Sequence, residues 1–105
     1  MRTFPRSLAA FRKFVNERCD QLRAATYEDL TRLETKPTER FTFDSRPATL
    51  KIFVQPRPEG RLRVVVQGFM KGRFVPGRHV ALDGFYKHAD GSATPMPDEE
   101  FYEFN

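Results

Sequence analysis

A single cysteine, Cys19, occurs among the 105 residues, and one thiol excludes an internal disulfide framework. No apolar run approaches the roughly 18 residues that a membrane helix needs. The first residues, Met1-Arg2-Thr3-Phe4-Pro5-Arg6, carry charge with no long apolar stretch behind it, so no signal peptide is visible. Internal repeats and low-complexity linkers are lacking. Only two histidines are present, and neither a His-x-His pair nor a Cys-His set offers metal-ligand spacing. These absences predict a soluble cytoplasmic protein with no membrane partner, no metal and no cofactor.

What is present is unevenly distributed. Residues 1–97 hold all 18 Lys and Arg against 10 acids, a balance of +8. Residues 98–105, Asp98-Glu99-Glu100-Phe101-Tyr102-Glu103-Phe104-Asn105, hold four acids, three aromatics and no base, a balance of −4. Such a segment should dock on something apolar and basic. Thirteen of the cations are Arg, whose planar fork suits carboxylates and phosphates. The apolar fraction is 39%, but eleven Phe supply large buried area per residue. A chain of this length forms one domain, residues 1–105.

The first part reads as a helix over residues 5–25. Leu8, Phe11, Phe14, Val15, Cys19, Leu22 and Ala25 recur at three- and four-residue steps as one apolar stripe. Arg18 falls within the stripe and must reach its edge or pair with an acid. Cys19 is expected to be a buried, inert thiol. A short second helix is predicted over 27–34. Thr26 caps it, Asp29 occupies the capping-box position, and Leu30 and Leu33 face inward. Thr35 to Glu39, containing Pro37, ends it.

The period then changes to two, predicting a sheet over 40–96. Phe41 and Phe43 lie on a short strand, and Asp44-Ser45-Arg46-Pro47 forms a turn. A strand over 48–55 leads through Pro56-Arg57-Pro58-Glu59-Gly60 to the longest strand, 61–71. The stretch 72–77 reads as a loop, followed by a strand over 78–89. Asp90-Gly91 is the strongest hairpin signal. Residues 92–96 can only be an edge strand because of Pro95 and Pro97. The tail, 98–105, starts like a helix but could extend. The fold class is therefore α+β: a long N-terminal helix plus a short helix on one face of a four- to five-stranded antiparallel meander.

Alternation assigns Leu50, Ile52, Val54, Leu62, Val64, Val66, Val80 and Leu82 to the helix side. It leaves Phe53, Arg61, Arg63, Gln67, Phe69, His79, Asp83 and Phe85 on the other face, with Lys51 beside them. Three Phe on a supposedly solvated face form a patch that needs cover. The tail can fold back, laying Phe101, Tyr102 and Phe104 on these rings and its acids near Arg61, Arg63 or Lys51. A second copy can pack there as a two-fold dimer. A protein or small-molecule ligand can fill a cleft there, or nucleic-acid bases can stack. Tail or dimer cover ranks first, and nucleic acid last, because the acidic tail repels phosphate and the sheet lacks an RNA-recognition signature. The leading functional expectation is a non-enzymatic binding or assembly module, a homodimer. The alternative is a ligand-binding or enzymatic cleft lined by Arg63, Gln67, His79 and Asp83, and single-stranded nucleic-acid binding is third.

Apparent catalytic motifs dissolve on inspection, and no catalytic residue is assigned. Gly72-Arg73-Phe74-Val75-Pro76-Gly77-Arg78-His79 has the glycine spacing of a P-loop, but Arg-His replaces Lys-Ser/Thr and a strand follows where a helix is required. His79 and Asp83 share a strand face about 13 Å apart, too far for one metal. His79 reads as a rim histidine rather than a general base.

Val80-Ala81-Leu82-Asp83-Gly84-Phe85-Tyr86-Lys87, then Asp90-Gly91-Ser92 and residues 95–104, resemble the ending of a family of short bacterial proteins without assigned activity. That resemblance implies no catalytic residues. The helix-then-meander order resembles cystatin-like and nuclear-transport-factor-like folds, which implies a curved sheet round a helix and dimerisation or ligand binding through the sheet. Small lone domains of this kind also occur in mobile integron gene cassettes.

Overall fold

A computed structural model describes residues 4–33, 38–71 and 78–104. Helix α1 (Phe4–Ala24) and the short helix α2 (Tyr27–Arg32) precede strands β1 (Thr38–Phe43), β2 (Arg46–Arg57), β3 (Arg61–Lys71), β4 (Arg78–Lys87) and β5 (Ala93–Pro95). A four-residue helix α3 (Asp98–Phe101) and one 3-10 turn (Tyr102–Phe104) close the chain. The strands form one antiparallel sheet in sequential order β1-β2-β3-β4-β5. The α+β arrangement read from the sequence is the one observed. The expected loop 72–77 and residues 34–37, including Pro37, lie outside the described residues.

The turns follow from local chemistry. Asp44 and Ser45 both have positive φ, 51° and 62°, so the first hairpin is a two-residue turn of the kind that matches strand twist. Arg46 and Pro47, expected in that turn, already belong to β2. Between β4 and β5, His88 N donates to the Ser92 carbonyl and Gly91 N to the His88 carbonyl, both at 2.9 Å. Gly91 takes φ 93° there, a conformation that favours glycine. Thr26 caps α2, its Oγ1 accepting from Asp29 N at 3.0 Å. Helix α2 ends at Arg32, however, and Leu33 is 36% exposed rather than inward. Leu33 is the C-cap, with extended backbone (φ −68°, ψ 137°), so it leaves the helical face that carries Leu30, and only Leu30 is buried.

The main core lies between α1 and one sheet face. Phe11, Val15 and Cys19 meet Leu50, Ile52, Val54, Leu62, Val64, Val66, Met70 and Phe85. Phe11, Phe14, Phe41 and Phe43 close one corner, with centroid separations from 5.2 to 6.4 Å. Each fully buried large side chain contributes about 1.5–3 kcal/mol. Arg18 leaves the stripe at its edge, pairs with Glu39 of β1 and lies 6.0 Å from the Phe14 ring centre. Lys87 Nζ donates to the Arg23 carbonyl at 2.9 Å, placing a cation at the negative end of α1. Tyr27 ties α2 to the β2–β3 turn by donating to the Gly60 carbonyl at 2.7 Å.

Helix and sheet come close over a pair of small residues. Gly68 on β3 faces Ala81 on β4. A Cβ on Gly68 would come within 2.7 Å of Val15 Cγ2 and 2.9 Å of Phe11 Cζ. This pair fixes the sidedness of β4. Val64 pairs with Phe85, Val66 with Asp83 and Met70 with His79, so Phe85, Asp83, Ala81 and His79 share the helix face. The sequence reading had β4 reversed: Val80 and Leu82 belong to the opposite face. Gly68 leaves the space that Phe11 and Val15 fill, and its cross-strand partner on β4 is the small Ala81.

Candidate functional site

The second sheet face is divided in two. One part is covered by the chain's own end. Val65, Tyr86, Met96 and Phe104 form a second apolar cluster with Phe53, Leu82 and Phe101 packed against it. The Phe104 ring centre lies 5.1 Å from that of Phe53. Gly84 leaves room for this cover, since a Cβ there would meet Met96 Cε at 3.3 Å.

Arg63 holds this cover down. It is only 3% exposed, and a buried guanidinium is tolerable only when its donors are met. Nε and Nη2 donate to Gln55 Oε1 at 2.9 and 2.7 Å. Nη1 donates to Glu100 Oε1 and Nη2 to Glu103 Oε2, both at 2.9 Å. Its guanidinium carbon also lies 5.3 Å from the Phe104 ring centre. The Tyr86 hydroxyl donates to Glu100 Oε1, and Gln67 Nε2 donates to the Phe104 carbonyl. Arg61 stacks over Tyr86 at 4.5 Å. The hydrogen bond from Tyr86, and then Arg63, outweigh burial and hold Glu100 below its ordinary carboxylate pKa. Burial, and then the Glu100 hydrogen bond, push the Tyr86 phenol up. Burial opposes charge on Arg63, but Glu103 and Glu100 outweigh it and raise its pKa.

Phe53, Arg61, Arg63, Gln67 and Phe69 share this face, and Phe101 and Phe104 pack on it. Tyr102 departs from the expectation: it points outward and is 75% exposed. His79, Asp83 and Phe85 lie on the helix face, so the cleft that was to join Arg63 and Gln67 to His79 and Asp83 is not assembled. Asp83 instead faces Arg23 at 4.0 Å and accepts from Gly84 N at 2.8 Å. Arg23 lies 5.0 Å from the Phe85 ring centre. Burial, with the nearby Asp83 carboxylate, pushes the Cys19 thiol up to about 12. A thiol in that state is a poor nucleophile. Tyr86 was not singled out from the sequence, and reversal of β4 is the reason.

The other part of the second face is an open groove of about 680 Å³ lined by Thr38, Arg40, Thr49, Lys51 and Phe69. Strand register builds it. Thr38 pairs with Lys51 and Arg40 with Thr49 across β1 and β2, and Thr49 pairs with Phe69 across β2 and β3. Two cations, two hydroxyls and a ring thus converge there, with no acid lining the groove among the described residues. Lys51 Nζ lies 5.5 Å from the Phe69 ring centre. The groove adjoins the covered part directly, because Lys51 pairs with Gln67, which holds the Phe104 carbonyl. Lysine and arginine at fixed positions beside a ring can bind an anion next to an apolar or aromatic group. Compared with family models, curated proteins and solved structures, the chain gives no match.

Proposed function

We propose that this protein is a non-enzymatic binding module whose recognition surface is the open groove of Thr38, Arg40, Thr49, Lys51 and Phe69. Its partner presents carboxylates beside an aromatic ring. The observation that carries this reading is the adjoining covered part, where the same chemistry is already engaged. There a cation and a ring of the sheet, Arg63 and Phe53, hold two carboxylates and a ring, Glu100, Glu103 and Phe104. The groove repeats the sheet's half of that arrangement with Arg40, Lys51 and Phe69. Its open, shallow form suits a segment of another macromolecule more than an enclosed small molecule.

Fluorescein-labelled poly(Glu,Tyr) tests the reading by fluorescence anisotropy. Saturable binding is expected, weaker for poly-Glu without rings, and lost when Arg40→Glu and Lys51→Glu are combined. Binding that survives those two substitutions would place recognition elsewhere. Tighter binding of oligo(dT) than of poly(Glu,Tyr) would transfer the groove to nucleic acid.

A further inference from the structure

We infer that the occupant of the groove is a second copy of this chain, through the outward side of its C-terminal turn, so that two copies close face to face about a two-fold axis. This inference rests on the groove reading above and names its partner. The docked turn has two sides. Inward, Glu100 and Phe104 engage Arg63 and Phe53. Outward, Asp98 and Glu99 are exposed, Tyr102 is 75% exposed, and the Glu103 side chain keeps 56% of its surface. That outer side is acidic with one ring at its centre. It complements the groove in charge and in kind: Asp98 and Glu99 for Arg40 and Lys51, Tyr102 for Phe69.

The two surfaces also complement each other in shape. The turn lies on top of the sheet and stands above it, while the groove floor is the bare sheet beside it. Both lie on one face and adjoin through Lys51 and Gln67. A two-fold axis in the plane of contact, running between ridge and groove, sets each ridge into the partner's groove. Both contacts then form at once, and the assembly closes at two copies instead of growing into a filament. Other self-pairings are disfavoured, because groove against groove opposes Arg40 and Lys51 to themselves and ridge against ridge opposes carboxylates. Size is adequate. Strands β2, β3 and β4 run about 33–40 Å while β1 and β5 are shorter, so the sheet face covers roughly 670 Å², within the range of about 600–1,000 Å² per copy of a standard interface.

Charge reversal on the full chain tests this by sedimentation equilibrium. The wild type should be a dimer. A groove variant carrying Arg40→Glu and Lys51→Glu, and a ridge variant carrying Asp98→Lys and Glu99→Lys, should each be monomers, since every contact then sets like charges together. An equimolar mixture of the two should restore a dimer, read as a one-to-one complex by native mass spectrometry, because both contacts in the mixed pair are again opposite in sign. Misfolding of either variant could not produce that rescue. A monomeric wild type overturns the inference, as does failure of the mixture to pair or a dimer that survives reversal. A monomeric wild type that still binds poly(Glu,Tyr) through Arg40 and Lys51 would remove only the second copy and leave the groove reading standing. Loss of both would end both.

Discussion

Replacing Arg63 by Met should release the C-terminal turn at a cost of about 2 kcal/mol. The wild-type guanidinium makes two charge-assisted contacts, to Glu100 and Glu103, at 2.9 Å each. Hydrogen bonds to charged groups contribute about 1.5–3 kcal/mol when sheltered. The Glu103 side chain is 56% exposed, so its share falls toward the 0–1 kcal/mol of surface pairs. Glu100 is 23% exposed and carries most of the effect. Gln55 loses both its donors but is only half-buried, so water can replace them. Met keeps the apolar stem against Phe104 and removes the cost of burying a cation. A net loss of about 2 kcal/mol shifts the folding equilibrium some 30-fold. With a urea m-value of about 1–3 kcal/mol/M, the midpoint should fall by about 0.7–2 M. A double-mutant cycle with Glu100→Gln should show coupling of about 1 kcal/mol or more. Acid supplies a second arm. Glu100 titrates below its ordinary 4.5 in the folded chain, so its stabilisation is complete above that pH and is lost as pH falls through the depressed value. The variant should lose stability less steeply there. A loss under about 0.5 kcal/mol, or additivity with Glu100→Gln within about 0.3 kcal/mol, would refute the latch.

Two further outcomes test the frame that holds the site. Gly68→Ala should destabilise by about 1–3 kcal/mol, the range for overpacking a dense core, and adding Val15→Ala should return part of it; equilibrium urea unfolding of the three variants decides. Cys19 should resist Ellman's reagent at pH 8 in the folded chain and react at once in denaturant, because burial and Asp83 hold its thiol up at about 12; rapid reaction of native protein would show that the α1–β4 contact opens readily.

Local signals proved readable where one interaction decides the outcome. The stripe of α1 dictates which side faces the sheet, and no other element competes for it. Thr26 and Asp29 define a helix start within four residues, and Arg61–Lys71 is a strand because hydrophobic alternation persists throughout. The fate of Leu33 was less accessible, since whether α2 continues past Arg32 depends on the connection to β1 and not on its own pattern. Strand β4 was ambiguous for a different reason. Val80 and Leu82 on one parity, and Ala81 and Phe85 on the other, are both plausible inward sets. The decision is made in three dimensions, where Phe11 and Val15 come so near that no Cβ fits on Gly68, which pairs with Ala81. A glycine in the middle of the longest strand was the available clue, because it marks close approach by another element.

The same reversal reshapes the site. With Phe85 turned to the helix, the second face loses one of its supposed rings and gains Tyr86, whose hydroxyl gives Glu100 a partner that Phe85 could not. The polar footing of the acidic end is small, one buried Arg, one Tyr and one amide, beside the apolar cluster that includes Phe53 and Val65. Its footprint is confined to the Gln55, Arg63, Tyr86 side of the face, and Arg40 and Lys51 stay outside it. The excess of cations in residues 1–97 over the acids of the tail is thus expressed locally as well as in total. A tail that neutralises Arg63 while turning Asp98, Glu99 and Tyr102 outward gives the face one basic half and one acidic half. In the proposed dimer, attraction between copies requires no third component, and a pair of substitutions on either half should reverse its sign.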